Sequence, residues 1–227
     1  MRIAHYCVAV DGPSGAGKST LAKAVARELG ILYVDTGAIY RTIGYYLFCH
    51  KLDPKKEAVV LSVLPQLRIE MKYEADGLQH MYLDGKDVTK EIRLPEVSMY
   101  ASDCSAHGEV RAFLLEMQRR LAREQSVIMD GRDIGTVVLP DAEVKIFLTA
   151  SPETRAKRRY QELSERGTEK AYEEVLAELV ERDYNDTHRA VAPLKAAEDS
   201  VIVDTTELDF TQSKQAILSV IQEKVGL

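Results

Sequence analysis

The chain has 227 residues, 45 % hydrophobic and 29 % charged, with a net charge of −6, which leaves room for one large α/β domain or two small ones. The acidic balance gives no support to general nucleic-acid binding, and no apolar run reaches the ~20 residues of a membrane span. Three scattered cysteines suggest neither a disulfide framework nor a zinc site, and a strand starting within a few residues of Met1 leaves no room for a signal peptide, so a cytoplasmic protein is expected.

Tyr6 to Val10 reads as an apolar strand. Gly12, Pro13, Ser14, Gly15, Ala16, Gly17, Lys18 and Ser19 follow, matching the phosphate-loop pattern G-x-x-x-x-G-K-[ST] at every required position. Thr20 to Leu29 reads as a helix ended by Gly30. Strand, glycine-rich loop and helix form the arrangement that cradles phosphate, because glycines let backbone N–H groups turn inward and the helix N-terminus adds partial positive charge. Gly12 through Thr20 are the predicted ATP-binding residues. Lys18 would reach the β and γ phosphates and Ser19 would ligate Mg²⁺.

Ile31 to Asp35 is a second strand, and Thr36 is read as the cap of a helix running to about His50. Asp53-Pro54 is read as the start of another helix carrying Val59, Val60, Val63 and Leu64, stopped by Pro65. The period then changes. Leu67, Ile69, Met71 and Tyr73 alternate with Arg68, Glu70, Lys72 and Glu74, and Asp76-Gly77 and Asp84-Gly85 supply turns, so a small antiparallel meander is predicted within 66–90. Glu109 to Gln125 is a helix with an apolar face of Val110, Phe113, Leu114, Met117 and Leu121. Ser126 to Asp130 is a buried strand, Gly131 to Gly135 a loop, and Val144 to Thr149 another core strand. Ser151-Pro152-Glu153 opens a helix carrying Arg155, Lys157, Arg158, Arg159 and Arg166, and Gly167 ends it. Thr168 is read as the cap of the next helix, which runs to about Arg189 with Tyr172, Val175, Leu176 and Leu179 inward. Val201 to Asp204 is the last strand, and a helix from about Thr211 buries Ile217, Val220, Ile221 and Val225. Five strands alternating with helices predict an α/β fold of the P-loop NTPase type. Its core is a five-stranded parallel sheet flanked by helices, with the meander as an insertion.

Asp130 ends an apolar strand, the position of a carboxylate that holds Mg²⁺ with the loop serine. Arg155, Arg158 and Arg159 crowd one helix, and Arg182 and Arg189 lie on the next. Such runs usually face solvent, but phosphoryl transfer needs guanidinium donors, and Arg158, Arg182 and Arg189 are the candidates. Arg132 and Asp133 follow a strand's carboxyl end, where open α/β sheets bind ligands. Tyr40 suits the core or a ligand stack equally. The histidines His5, His50, His80, His107 and His188 show no ligand spacing.

The GTPase motifs D-x-x-G and N-K-x-D are absent, and a translocating ATPase would be larger. A small-molecule kinase fits better. Another acceptor, such as UMP or a shikimate-like alcohol, and a non-catalytic nucleotide module are the alternatives.

Four segments carry a closer resemblance: Asp11 to Lys18, Asp35-Thr36-Gly37-Ala38-Ile39-Tyr40-Arg41, Asp130-Gly131-Arg132-Asp133-Ile134-Gly135-Thr136-Val137-Val138, and His188-Arg189-Ala190-Val191-Ala192-Pro193-Leu194. With them the chain resembles the bacterial cytidylate kinases from Val8 to about Thr206. The resemblance implies transfer from ATP to CMP or dCMP with Mg²⁺, in a monomer with neither nucleic-acid polymer nor membrane as partner. It implies one kinase domain, with core residues 1–36, 102–154 and 190–227, an acceptor-binding region at 37–101 that contains the meander, and a lid with its following helix at 155–189. Carried over by motif, Thr36 and Tyr40 would lie near the CMP phosphate and sugar. Arg41, Arg132, Arg182 and Arg189 would grip the acceptor phosphate. Ser102, Arg111 and Asp133 would read the base, Asp186 the ribose, and Arg158 would belong to the lid. Lys18, Arg132, Arg158, Arg182 and Arg189 are the implied catalytic set, with Ser19 and Asp130 at the metal.

Overall fold

Cys7–Asp11 (β1) reads as a strand covered on both faces because it is apolar without alternation, and Val8, Ala9 and Val10 are fully buried. The computed structural model describes residues 5–165 and 167–226, and Arg166 lies outside them. The described chain divides into two compact units, one running to Tyr33 and resuming at Ala122, the other Val34–Leu121.

In the first unit β1 is followed by Lys18–Leu29 (α1), then Leu32–Asp35 (β2), in which the chain passes into the second unit. After its return come Val127–Gly131 (β6), Val144–Thr149 (β7), Pro152–Glu165 (α6), Tyr172–His188 (α7), Val201–Asp204 (β8) and Phe210–Val225 (α8). The five strands lie in the order β2-β6-β1-β7-β8. The pairs β1–β6, β1–β7 and β7–β8 are parallel, with Val10 opposite Asp130 and Ile146. This register sets Asp11 beside Gly131, so the phosphate loop and the Arg132-Asp133 segment leave adjacent carboxyl ends. Val8, Val10, Leu21, Val25, Ile128, Ile146, Ile217 and Ile221 fill the core between sheet and helices. The parallel α/β sheet expected from the sequence is the one observed.

The second unit holds Thr36–Cys49 (α2), Glu57–Val63 (α3), the strands Ile69–Tyr73 (β3), Gln79–Leu83 (β4) and Lys86–Asp87 (β5), then Pro95–Cys104 (α4) and most of Gly108–Glu124 (α5). The strands form an antiparallel sheet, β3-β4-β5, as the alternation predicts. Helices α2 and α4 pack closely at Gly44, where a Cβ would lie 2.7 Å from the Ala101 nitrogen.

Local chemistry shifts several predicted elements. Asp35, not Thr36, caps α2, since its Oδ1 accepts the Ala38 N–H at 2.8 Å and Thr36 is already helical. Asp53 spends its carboxylate on the Lys55 N–H in a local turn, so α3 starts only at Glu57. Thr168 does not cap α7, which begins at Tyr172 after extended Ala171. Helix α4 is an addition to the predicted elements; Pro95 at its first position and Glu96 in its first turn are its start signal. The stretch after Asp133 is a π-helical turn, Ile134–Val138, rather than a plain loop. On α5 the buried face is Val110, Arg111, Leu114, Gln118 and Ala122, while Phe113 is exposed.

Candidate active site

Three glycines shape the phosphate loop. Gly12 has φ 151° and passes so near β7 that a Cβ would lie 1.9 Å from the Leu148 carbonyl oxygen. Gly15 and Gly17 have φ 73° and 85°, a left-handed region costly for other residues. Gly17 leads directly into α1, and Lys18 is buried with its Nζ donating to the Pro13 carbonyl at 2.7 Å. Burial, with Arg132 nearby, holds the Lys18 pKa well below that of a free lysine.

Ser19 and Asp130 meet as the motif predicts. Ser19 Oγ donates to Asp130 Oδ2 at 2.7 Å, and the Tyr33 hydroxyl donates to Oδ1 at 2.9 Å. This is an oxygen-only donor set with one carboxylate, which fits the hard cation Mg²⁺ completed by water and phosphate.

Asp11 joins the phosphate loop to the Asp133 segment. Its two carboxylate oxygens accept the Ile134 and Gly135 N–H groups at 2.8 and 2.7 Å. Burial pushes its pKa up to about 6 against the pull of those bonds.

The charged cluster gathers where the end of α7, capped by Arg189, meets the segment after β6. Arg132 Nε donates to Asp186 Oδ2 at 2.7 Å, and Arg189 lies 3.8 Å from both Asp186 and Asp133. Arg189 also donates through Nε to the Ala192 carbonyl at 2.7 Å. Arg182 sits one turn before Asp186 and adds to the positive charge around it. The structure thus brings Arg132, Asp133, Arg182, Asp186 and Arg189 together.

Arg158 points elsewhere, donating to the Thr205 carbonyl at 2.7 Å and the Thr205 hydroxyl at 3.1 Å. Its neighbour Arg159 pairs with Glu162 on its own helix. Arg155, by contrast, reaches the phosphate loop and is nearly fully buried.

In the second unit Asp35 pairs with Arg41 at 2.8 Å, and Gly37 leaves room for that guanidinium. Gln79 of β4 accepts the Asp35 N–H and donates to the Asp35 carbonyl, so the inserted sheet fixes the start of α2. The Arg111 guanidinium stands 5.1 Å over the Tyr40 ring and donates to the Ser105 carbonyl at 3.1 Å. Tyr40 therefore stacks on an arginine. Thr36 is buried and Ser102 half-buried.

Sequence reasoning assigned no role to Asp11, Tyr33 or Asp183. Asp11 precedes the first loop glycine directly, and Tyr33 is a hydroxyl inside an apolar strand, so both left a readable signal. Asp183 left none, because its partners are far away in sequence.

A phosphate loop after the first strand of a parallel sheet, with its serine on a strand-end carboxylate, defines a P-loop nucleotide-binding protein. Comparison with known proteins narrows the class. The profile of the family described as cytidylate kinase matches residues 8–223, and the chain belongs to that family. It is 49 % identical over 219 residues to a cytidylate kinase of Caldicellulosiruptor saccharolyticus, covering 96 % of each chain. It is 48 % identical over 217 residues to one of Streptococcus pyogenes serotype M5, covering 96 % of this chain and 94 % of that protein. Among solved structures, an uncharacterized protein from Eubacterium ventriosum superposes with a TM-score of 0.53 at 12 % identity, over 96 % of this chain and 98 % of that one, a likeness of fold alone. Among the described residues no helix is long and apolar enough to cross a membrane.

Proposed function

We propose that the protein transfers the γ-phosphoryl group of ATP to CMP or dCMP, giving ADP and the corresponding diphosphate. The observation that carries the acceptor's identity is the match to the cytidylate kinase family over residues 8–223. The loop from Gly12 to Thr20 holds ATP, with Lys18 on its phosphates. Ser19 and Asp130 would hold Mg²⁺, which would supply charge neutralisation at the donor phosphates.

The acceptor is already a phosphate monoester, whose oxygen is a ready nucleophile. No general base is needed, and the chain's own work is positioning and charge neutralisation. Arg132, Arg182 and Arg189 hold the acceptor phosphate and Asp186 the ribose. Asp133 accepts the cytosine N4 amino group, the donor that uracil lacks. In the second unit Arg41, Thr36 and Tyr40 serve the phosphate and sugar, and Ser102 and Arg111 serve the acceptor edge of the base. Residues 37–101 are the acceptor-binding region and 155–189 the lid, within one kinase domain. Arg158 must leave the Thr205 carbonyl to reach a phosphate. The protein is read as a cytoplasmic monomer, and its free thiols Cys7, Cys49 and Cys104 suit a reducing compartment.

A coupled ADP-release assay across CMP, dCMP, UMP and AMP at fixed Mg–ATP tests this. CMP or dCMP is expected to exceed UMP and AMP by about tenfold or more in kcat/KM. A tenfold advantage for UMP or AMP would assign the base reading wrongly, and no turnover with any acceptor would mark a nucleotide-binding module.

A further inference from the structure

We propose that Asp183 and Arg155 are positioning residues for the donor nucleotide, clamping the Ser14 peptide of the phosphate loop from α7 and α6. Ser14 N–H donates to Asp183 Oδ1 at 3.2 Å, and the Ser14 carbonyl accepts from Arg155 Nη1 at 2.9 Å. The same Nη1 lies 2.5 Å from Asp183 Oδ2, and Arg155 Nε donates to the Ala150 carbonyl at 2.8 Å. Both backbone polar groups of one loop residue are therefore taken by a single ion pair. That pair is anchored at the end of β7. Gly15 lets α6 come this near, since a Cβ there would lie 3.3 Å from Arg155 Cβ.

The clamp has a chemical logic beyond tying two helices together. The loop is rich in glycine and loses much freedom when ordered around an anion. Fixing Ser14 settles that ordering in advance and leaves the N–H groups after it for phosphate. A bare carboxylate here would repel a polyphosphate, and Arg155 neutralises it. Arg182, Asp186 and Arg189 are proposed above to hold the acceptor; the first two share α7 with Asp183, and Arg189 caps its C-terminus. The clamp thereby fastens the donor loop to the acceptor's helix.

A merely structural pair predicts a lower melting temperature with unchanged ATP affinity. The test is calorimetric titration with Mg–ATP alone, without acceptor, beside steady-state kinetics and thermal melting. Asp183→Ala should weaken ATP binding about tenfold, as expected for a lost charge-assisted hydrogen bond, with kcat reduced and the KM for CMP within about twofold. Asp183→Asn keeps an oxygen for the Ser14 N–H but loses the charge pair. It should melt as low as Asp183→Ala yet bind ATP within about threefold of wild type. Arg155→Lys keeps the charge but not the guanidinium that spans Ala150, Ser14 and Asp183, and should weaken ATP about fivefold, which decides the matter if Asp183→Ala does not fold. Wild-type ATP affinity in Asp183→Ala, or in Arg155→Lys where Asp183→Ala does not fold, overturns the proposal, as does equal weakening in the Ala and Asn variants. Failure of CMP as acceptor leaves the acceptor-free titration untouched, so the two outcomes are separable.

Discussion

Arg132 Nε and Asp186 Oδ2 stand 2.7 Å apart although 54 residues separate them in sequence. Burial alone would raise the Asp186 pKa, but Arg132, Arg182 and Arg189 together hold it below the usual carboxylate value. Asp186 thus balances part of the charge of three guanidiniums, with Asp133 beside Arg189. Removing Asp186 leaves Arg132 without its anchor and takes a carboxylate from beside Arg182 and Arg189. Asp186→Ala should cost about 3 kcal/mol at pH 7, the usual scale for breaking a buried pair. A depressed carboxylate pKa contributes stability above its unfolded value, lost as pH falls through the folded one. The cost should therefore shrink on acidification below about pH 4, where the unfolded chain takes up the proton, and disappear once the pH passes the lowered folded value. Urea denaturation at pH 7 and pH 3 checks this, and a pH-independent difference would argue against the ion pair as its source.

The Tyr33 hydroxyl donates to the Asp130 oxygen that Ser19 leaves open. A carboxylate fixed on both sides is aimed before any cation arrives. Tyr33→Phe keeps the ring and removes one bond. It should raise the Mg²⁺ concentration for half-maximal turnover about tenfold, the scale of outer-shell losses at metal sites, with kcat at saturating Mg²⁺ nearly preserved. Titration of activity against Mg²⁺ at fixed ATP measures it. Asp130→Asn, which removes the charge itself, should lower kcat even at saturation.

Asp11 gives the opposite pH behaviour to Asp186. Its folded pKa of about 6 lies above the unfolded carboxylate value, chiefly through burial. The folded state then binds the proton more tightly, so this residue's contribution to stability falls as pH rises from about 4 to 6. Asp11→Asn does not titrate. The stability difference, wild type minus variant, should drop by roughly 2 kcal/mol between pH 4 and pH 7. Guanidinium melts at the two pH values read it directly.

The sequence showed the sheet because each core strand is a short apolar run ended by a carboxylate or turn, as in Val127 to Asp130 and Val201 to Asp204. The meander was equally plain, since Leu67 to Glu74 alternate strictly. Capping was harder. Asp35 and Thr36 are both good caps and adjacent, and only the chain direction after β2 decides between them. Helix α4 is short, and its start signal, Pro95 with Glu96, is not followed by a clear polar-apolar period; its close packing on Gly44 of α2 is visible only in the fold. At the site, Ser19 and Asp130 were legible because a motif fixes one and a strand end the other. Arg155 and Arg158 were not separable by sequence. Three residues apart on one helix, they part at their tips, one to Ser14 and the other to Thr205.

Asp133 is buried, with Arg189 Nη2 at 3.8 Å from its Oδ1 and its following backbone held by Asp11. A carboxylate accepts from the cytosine amino group and faces the uracil carbonyl oxygen to oxygen. Asp133→Asn reverses part of that preference, because the amide can donate to the carbonyl. Discrimination by a good polar contact to a base is worth about 1–3 kcal/mol, so the ratio of kcat/KM for CMP over UMP should fall roughly 10- to 100-fold. Most of the change should lie in CMP, with ATP KM unaltered, since Asp133 is proposed to contact the base and not the donor nucleotide. Asp11→Asn should move the ratio in the same direction by less, through the Ile134 and Gly135 N–H groups it holds. Parallel acceptor titrations of the two variants settle the assignment. A ratio unchanged in Asp133→Asn would transfer the base reading to Ser102 and Arg111.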